Sequence, residues 1–348
     1  MKNFKSGLEG FCIFAILTAV LTGCCWVDED LSECETTYKI GYELRLVTNM
    51  TTELQTQLGM AADVQVASAL ETYLKDVFTD YAHDVDLSFY DVLGDSLRLH
   101  HESHIMDASQ SSYSLFIPVR KYMHVALANN SQVPQLQLLS DDKCHTAILQ
   151  QVVKDTVDTY KRAVFTARLP MDIQEGEDQH FDVKLYTTSC AHALVLDTLG
   201  SHITDMKVFA SGFATGFSLA DSTYLFSYTP MVRADKVETE GTPGKPLCYA
   251  AVTFPSRSVS DTKVIIPDDD WVSDVADESL WYYTVYTTLP DGSVTKTVLG
   301  VKIPICPGQL KIIKCTVTED GAVNPEAPWV GMSVTLKWNE RPGWEVVI

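Results

Sequence analysis

Alternation with a period of two runs through most of this chain, and no other feature restricts its fold as much. Tyr38, Ile40, Tyr42, Leu44 and Leu46 are separated by Lys39, Glu43 and Arg45. Val85, Leu87 and Phe89 alternate with Asp84, Asp86 and Ser88, and the same beat returns at 113–119, 224–228, 281–285 and 332–338. Successive side chains of a strand point to opposite faces, so such runs describe strands with one buried side. Turn chemistry punctuates them at Gly94-Asp95, Pro243-Gly244, Pro290-Asp291-Gly292 and Pro307-Gly308. Short strands between turns of this kind imply β-sandwiches.

Two segments depart from the pattern. Asp63 is placed to cap a helix running to about Asp80, with Val66, Leu70, Tyr73, Val77 and Tyr81 on one face. Asp141 or Asp142 is placed to cap a second, with Ile148, Leu149, Val152, Val153, Val157 and Tyr160 on its face. The polar stretch from Pro170 to Gln179 sets a domain boundary near residue 175. With 348 residues, two domains are expected, each long enough to bury its own core.

The first residues read as an address rather than as fold. Lys2 and Lys5 precede the apolar run Phe11–Thr22, which is too short to span about 30 Å of hydrocarbon. Leu21-Thr22-Gly23-Cys24 then resembles a bacterial lipobox, in which the small Gly23 fits the signal peptidase and the Cys24 thiol takes the lipid. Cleavage between Gly23 and Cys24 leaves a chain anchored to a membrane, not through it. The cluster Asp28, Glu29 and Asp30 resembles a surface-export signal, or is a solvated linker. The expected divisions are a signal peptide at 1–23, a lipidated tether at 24–35, and sandwich domains at 36–175 and 176–348.

The formal charge of −20 becomes −21 when two lysines and one glutamate leave with the signal. A surface this acidic repels a phosphate backbone, so no nucleic-acid partner is expected. Cys12 leaves with the signal and Cys24 is lipidated, so seven of the nine cysteines remain. Cys25 with Cys34, and Cys306 with Cys315, are possible short-loop pairs; the alternative is buried thiols acting as small hydrophobes.

Catalytic and metal signatures are weak. His100, Glu102 and His104 would share one face of a strand, a set able to bind a metal, although helical zincin spacing is not met; a polar strand end is the plainer reading. Asp268-Asp269-Asp270 lacks the glycine and distal glutamate of a calcium loop. Cys144-His145 and Cys190-Ala191-His192 put thiols near imidazoles, but adjacency in sequence is not a dyad. There is no G-x-S-x-G, phosphate loop or dinucleotide fingerprint, so no enzyme, metal or cofactor is expected. Trp271, Trp281, Trp329, Trp338 and Trp344 all lie in the second half, where they would form either a sugar-stacking platform or sandwich core.

Several short motifs, taken in order, resemble one family. Asp30-Leu31-Ser32-Glu33-Cys34 is similar to a D-L-S-D-C opening, and the strand after it ends at Asn49. The Val85–Asp91 strand, Lys121-Tyr122 to Asn129-Asn130, Leu289-Pro290-Asp291-Gly292-Ser293, Pro307-Gly308-Gln309-Leu310 and the Val334–Trp338 strand follow. Arg120 stands where the family commonly has glycine. Their order behind a lipobox resembles the fimbrillin-A associated anchor proteins, basal lipoproteins of type V pili. That resemblance implies a mainly β chain of two transthyretin-like β-sandwich domains in tandem, with one or two helices in the first.

It further implies a structural anchor, with fimbrial stalk or pilin subunits as partners and the outer membrane held through lipid at Cys24. Subunits of these fibres join by strand exchange, and the apolar segment Trp344, Val346, Val347 and Ile348 is the candidate for it, or else simply the last strand of the second sandwich. The alternative function is a glycan-binding cell-surface lipoprotein.

Overall fold

In the computed structural model, residues 37–48, 50, 64–92, 96–106, 112–152, 155–176, 179–238, 246–258 and 279–337 are described. Tyr38–Ile348 forms one compact unit; Met1–Thr37 is separate, and only its Thr37 is described. The chain is mainly β with one α-helix among the described residues, as the alternation requires.

In chain order the first half contributes β1 (Thr37–Val47), α1 (Val64–Val77), β2 (Asp84–Asp91), β3 (Arg98–Ile105), β4 (Ser112–Pro118), β5 (Lys121–Ala128), β6 (Leu136–Leu139), β7 (Ile148–Gln151), β8 (Thr156–Asp158), β9 (Phe165–Asp172) and β10 (Gln179–Thr187). The second contributes β11 (Cys190–Asp197), β12 (Asp205–Ser211), β13 (Gly216–Ser218), β14 (Thr223–Leu225), β15 (Met231–Arg233), β16 (Asp235–Val237), β17 (Leu247–Thr253), β18 (Trp281–Thr288), β19 (Val294–Val301), β20 (Leu310–Val317), β21 (Val323–Pro325) and β22 (Val330–Lys337).

These strands make four sheets. A seven-stranded sheet runs β3-β2-β5-β9-β10-β1-β4, and a four-stranded one runs β14-β13-β7-β6. A five-stranded sheet runs β16-β17-β11-β20-β21, and a six-stranded one runs β22-β19-β18-β12-β15-β8. Alternation explains the first. Ile40, Tyr42 and Leu44 of β1, Val85, Leu87 and Phe89 of β2, and Val183 and Leu185 of β10 all turn into one core. Val66, Leu70, Leu74 and Val77 on one face of α1 join them.

The five-stranded sheet obeys a different rule. Ala191, Ala193 and Val195 of β11 face that first core, while Cys190, Leu194 and Leu196 face a second one. Cys248, Ala250 and Val252 of β17 divide from Tyr249 and Ala251 in the same way. A strand covered on both sides needs no polar face, which is why Cys190–Leu196 reads as an almost unbroken apolar run. The second core lies between this sheet and Val208, Trp281, Tyr283, Val285, Leu299 and Val301 of the six-stranded one. Helix α1 ties to the same middle layer, where the Tyr73 hydroxyl donates to Asp235 Oδ2 at 3.1 Å.

Three expectations change. The helix expected over Ile148–Tyr160 is instead β7 and β8. Leu149 and Gln151 alternate inward between β6 and β13, and Val152 is exposed, so a period of two won within a stretch that also fits 3.6. Asp141 is not a helix cap: its carboxylate pairs with Arg98, and its carbonyl accepts from the Tyr90 hydroxyl at 2.9 Å. Sheet membership does not divide the chain at one point: β8 joins the six-stranded sheet, and β13 and β14 join β6 and β7. β10 pairs with β9 and β1, so the polar stretch is a connection inside the first sheet. Finally, Cys306 and Cys315 are not joined; Cys315 faces the second core and Cys306 is exposed before β20. The Asp63 cap, Asn49, Gly94-Asp95, Pro243-Gly244 and the Cys25–Cys34 pair lie outside the described residues.

Candidate functional site

The motifs that carry the family resemblance turn out to hold the frame. Asn129 adopts the left-handed conformation (φ 64°) and is fully buried. Its Oδ1 accepts from the His83 N–H at 2.8 Å, and its Nδ2 donates to the Ala163 carbonyl at 3.2 Å. Asparagine tolerates that backbone where most side chains do not. In the β18–β19 hairpin Gly292 takes φ +81°, while Asp291 accepts from the backbone N–H and hydroxyl of Ser293. Those bonds stabilise its carboxylate and lower its pKa. Gly308 (φ +72°) donates its N–H to the Ser189 carbonyl at 2.8 Å, bringing the start of β20 beside β11. Arg120 lies outside the left-handed region, so the glycine common in the family is not demanded there.

Where a neighbouring chain could add a strand, the sheet margins decide. The margin at β3 is blunted. His100, Glu102 and His104 do share one face, as expected, beside Phe89, Leu87 and Val85 of β2 on the core side of the sheet. The two imidazoles donate from Nε2 to opposite oxygens of Glu102, both at 2.8 Å, so each carboxylate oxygen has a partner on its own strand. On the other face His101 and Ser103 both bond Asp86 Oδ2, at 2.7 and 3.0 Å. The outer backbone is closed at its start, because Arg98 donates its N–H to the Asp142 carbonyl and Cys144 to that of Ser96.

The margin at β22 is different. It pairs with β19 along all eight residues, and among the described residues no second strand adjoins it. Val301 and Val330 sit opposite each other. The Val301 carbonyl accepts from Leu280, and the Val330 N–H is given to Ala327 at 3.1 Å, so this pair does not bond across the ladder. Because ladder bonding alternates in antiparallel strands, Met332, Val334 and Leu336 also direct N–H and C=O away from β19. No sequence signal carries this phase; it follows only from the hydrogen bonds at Val301 and Val330.

The remaining candidates are accounted for separately. Cys190 is buried with Sγ 3.4 Å from the Phe254 carbonyl, and burial pushes its thiol up to about 12. His192 pairs with the Tyr283 hydroxyl at 2.7 Å and not with that thiol. Cys144 is buried at a short 3-10 turn while His145 is exposed, so neither sequence pair makes a dyad. Trp281 is fully buried and donates Nε1–H to the Ile303 carbonyl at 2.9 Å, which makes it core and removes it from any sugar platform. Gly23, Cys24, Asp268–Asp270, Trp271, Trp338, Trp344, Val346, Val347 and Ile348 lie outside the described residues.

An open groove of about 510 Å³ crosses β9, β10 and β14, with Arg168, Lys184, Tyr186 and Tyr224 on its walls. No helix of the described residues is long and apolar enough to cross a membrane.

The class these features define is a multi-sheet β-protein with two cores sharing a middle sheet. No protein-family model matches the sequence, and no curated protein does. Solved structures are similar to different degrees. A candidate adhesin from Bacteroides ovatus is similar with a TM-score of 0.50 at 11% identity, over 91% of this chain and 99% of that one. The fimbrial anchor protein Mfa2 from Porphyromonas gingivalis gives 0.44 at 9% identity, over 87% and 98%. The tip fimbrial protein Mfa3 from the same organism gives 0.43 at 9% identity, over 86% and 100%.

Proposed function

We propose that this chain is a structural subunit of a cell-surface fibre, held in the outer membrane by lipid on Cys24 and joined to the adjacent pilin by β-strand pairing. The observation that carries the reading is the contrast between two margins: β3 sets histidines and a carboxylate on its core-side face and gives its Arg98 N–H to Asp142, while β22 directs backbone groups of Met332, Val334 and Leu336 outward along an eight-residue ladder. An added strand gains a ladder of main-chain hydrogen bonds there, and alternate side chains set its register. The segment Trp344–Ile348, which follows β22 in sequence, takes part in that exchange.

Cleavage after Gly23 and lipidation of Cys24 make the subunit the membrane end of the fibre, where it ends growth. Two or more acyl chains give stable anchoring where one is marginal. The architecture shared with the Bacteroides ovatus protein supports the reading at the level of fold. The reading is of a scaffold: Cys144, Cys190, Cys248 and Cys315 are buried, and so are His124 and His192.

Replacing Cys24 with alanine tests the anchor. Fibres shed into the medium or altered in length are expected; a cell that keeps normal attached fibres would overturn it. Deletion of residues 343–348 tests the exchange segment in the same assay, and unchanged attachment would remove that segment from the account.

A further inference from the structure

We propose that Glu43, His180 and Asp182 form a binding site for a divalent transition-metal ion, zinc being the best chemical match, on the outer face of the seven-stranded sheet. The three come together through the parallel pairing of β1 with β10, in which Gly41 lies opposite His180 and Glu43 opposite Asp182. Tyr42, Leu44 and Val183 turn inward, so these alternate residues face outward on adjacent strands.

His180 Nε2 is 3.3 Å from Asp182 Oδ1 and 3.7 Å from Glu43 Oε2. Both distances exceed those of a charge-assisted hydrogen bond, roughly 2.7–2.9 Å. The three ligand atoms all lie within 4.8 Å of one another. The two His180 separations, 3.3 and 3.7 Å, match pairs of ligands each about 2 Å from a shared ion, the length of a zinc–nitrogen or zinc–carboxylate bond. Arg45 Nη2 lies 3.8 Å from the other oxygen of Glu43, an exposed ion pair.

A second, independent observation is Gly41. Its backbone is outside the left-handed region, so nothing in its φ calls for glycine. A Cβ there would stand 2.6 Å from His180 Nδ1. The missing side chain is what lets the imidazole lie across β1 and aim Nε2 at the two carboxylates; glycine inside a strand commonly marks such a close approach.

The donor set selects the ion. One imidazole nitrogen with two carboxylates suits zinc and its first-row neighbours, whereas calcium and magnesium take oxygen cages. Three protein ligands on an exposed face leave the remaining position to water.

The test is calorimetric titration of Zn²⁺ into the metal-stripped, detergent-solubilised chain with its thiols alkylated, alongside His180→Ala and Gly41→Val. The site predicts that His180→Ala lowers the stoichiometry by one equivalent and leaves any other zinc binding as it was. Gly41→Val, which displaces the ring, weakens that one equivalent at least tenfold. Melting curves without metal verify that both variants are folded, and Asp182→Asn supplies the same loss of one equivalent if either is not. Unchanged stoichiometry in His180→Ala, or Ca²⁺ binding as tightly as Zn²⁺, overturns the assignment.

Discussion

The two cores end in margins built on opposite principles. The first closes at β3, whose core-side face continues Val85, Leu87 and Phe89 with His104, Glu102 and His100. The second closes at β22, whose partner β19 is known and whose far side meets no strand among the described residues. Charged groups pointing inward on a terminal strand are a known protection against edge-to-edge pairing, because a docking sheet would have to strip water from them. β3 adds a second barrier in the Asp142 carbonyl, which takes the Arg98 N–H. The difference teaches that two margins of one molecule can offer a docking strand unlike surroundings: polar groups on the core-side face at β3, and outward backbone groups along an eight-residue ladder at β22.

Acid attacks both sides of the comparison and has the largest expected effect. His124 is buried in the first core, donating from Nδ1 to the Ser88 carbonyl and accepting at Nε2 from the Tyr42 hydroxyl at 2.6 Å. Burial lowers its pKa to about 4, and lowers that of His192, in the second core, to about 3. The unfolded chain titrates near 6.5, so it binds protons more tightly than the folded one below that value. Stability is therefore complete above pH 6.5 and falls as the pH drops toward 4, by roughly 3 kcal/mol for His124 and a similar order for His192. Denaturant midpoints measured at pH 7 and pH 4.5 check this; equal midpoints would contradict it.

Removing the guard from β3 comes next. With His100, Glu102 and His104 all replaced by valine, light scattering should show a folded chain passing from monomer to oligomer. If it stays monomeric, the polar face is not what keeps that margin single.

Proline at Met332 and Val334 removes two outward donors at β22 while sparing the bonds to β19. Pilin binding should weaken at least tenfold with an unchanged melting temperature. Ser333→Pro strikes the ladder itself and should destabilise the fold. If the double variant binds normally, the phase deduced at Val330 is not the one used in assembly.

The smallest effect belongs to Arg98→Ala. It breaks the pair with Asp141, both partly exposed, and should cost about 1 kcal/mol or less in urea unfolding.

Much of the fold was legible because single-sided strands advertise themselves. β1 and the start of β2 follow their alternation, and Trp281, Tyr283 and Val285 of β18 turn into the second core although Tyr282 and Thr284 between them are buried too. Helix α1 buries Val66, Leu70 and Val77 as its spacing outlines, together with Leu74, but it ends at Val77, and Tyr81 beyond it is exposed. Legibility failed where tertiary partners decided. Ile148–Tyr160 satisfies a helical stripe, yet β6 and β13 take Leu149 and Gln151 into a sheet. The run Cys190–Leu196 has no period, because β11 has a core on each side. The triad of Glu43, His180 and Asp182 could not be read at all, since its members meet only through a parallel pairing of strands far apart in sequence. The His100–Glu102–His104 face was legible as a shared face, but its two hydrogen bonds to one carboxylate were not.

The most direct measurement of the account is amide hydrogen exchange on the chain alone and with the pilin proposed as its partner. Strand pairing at the open margin predicts new protection at Met332, Val334 and Leu336, with β3 unchanged. Protection that instead appears along β3, with β22 exchanging as before, would contradict it.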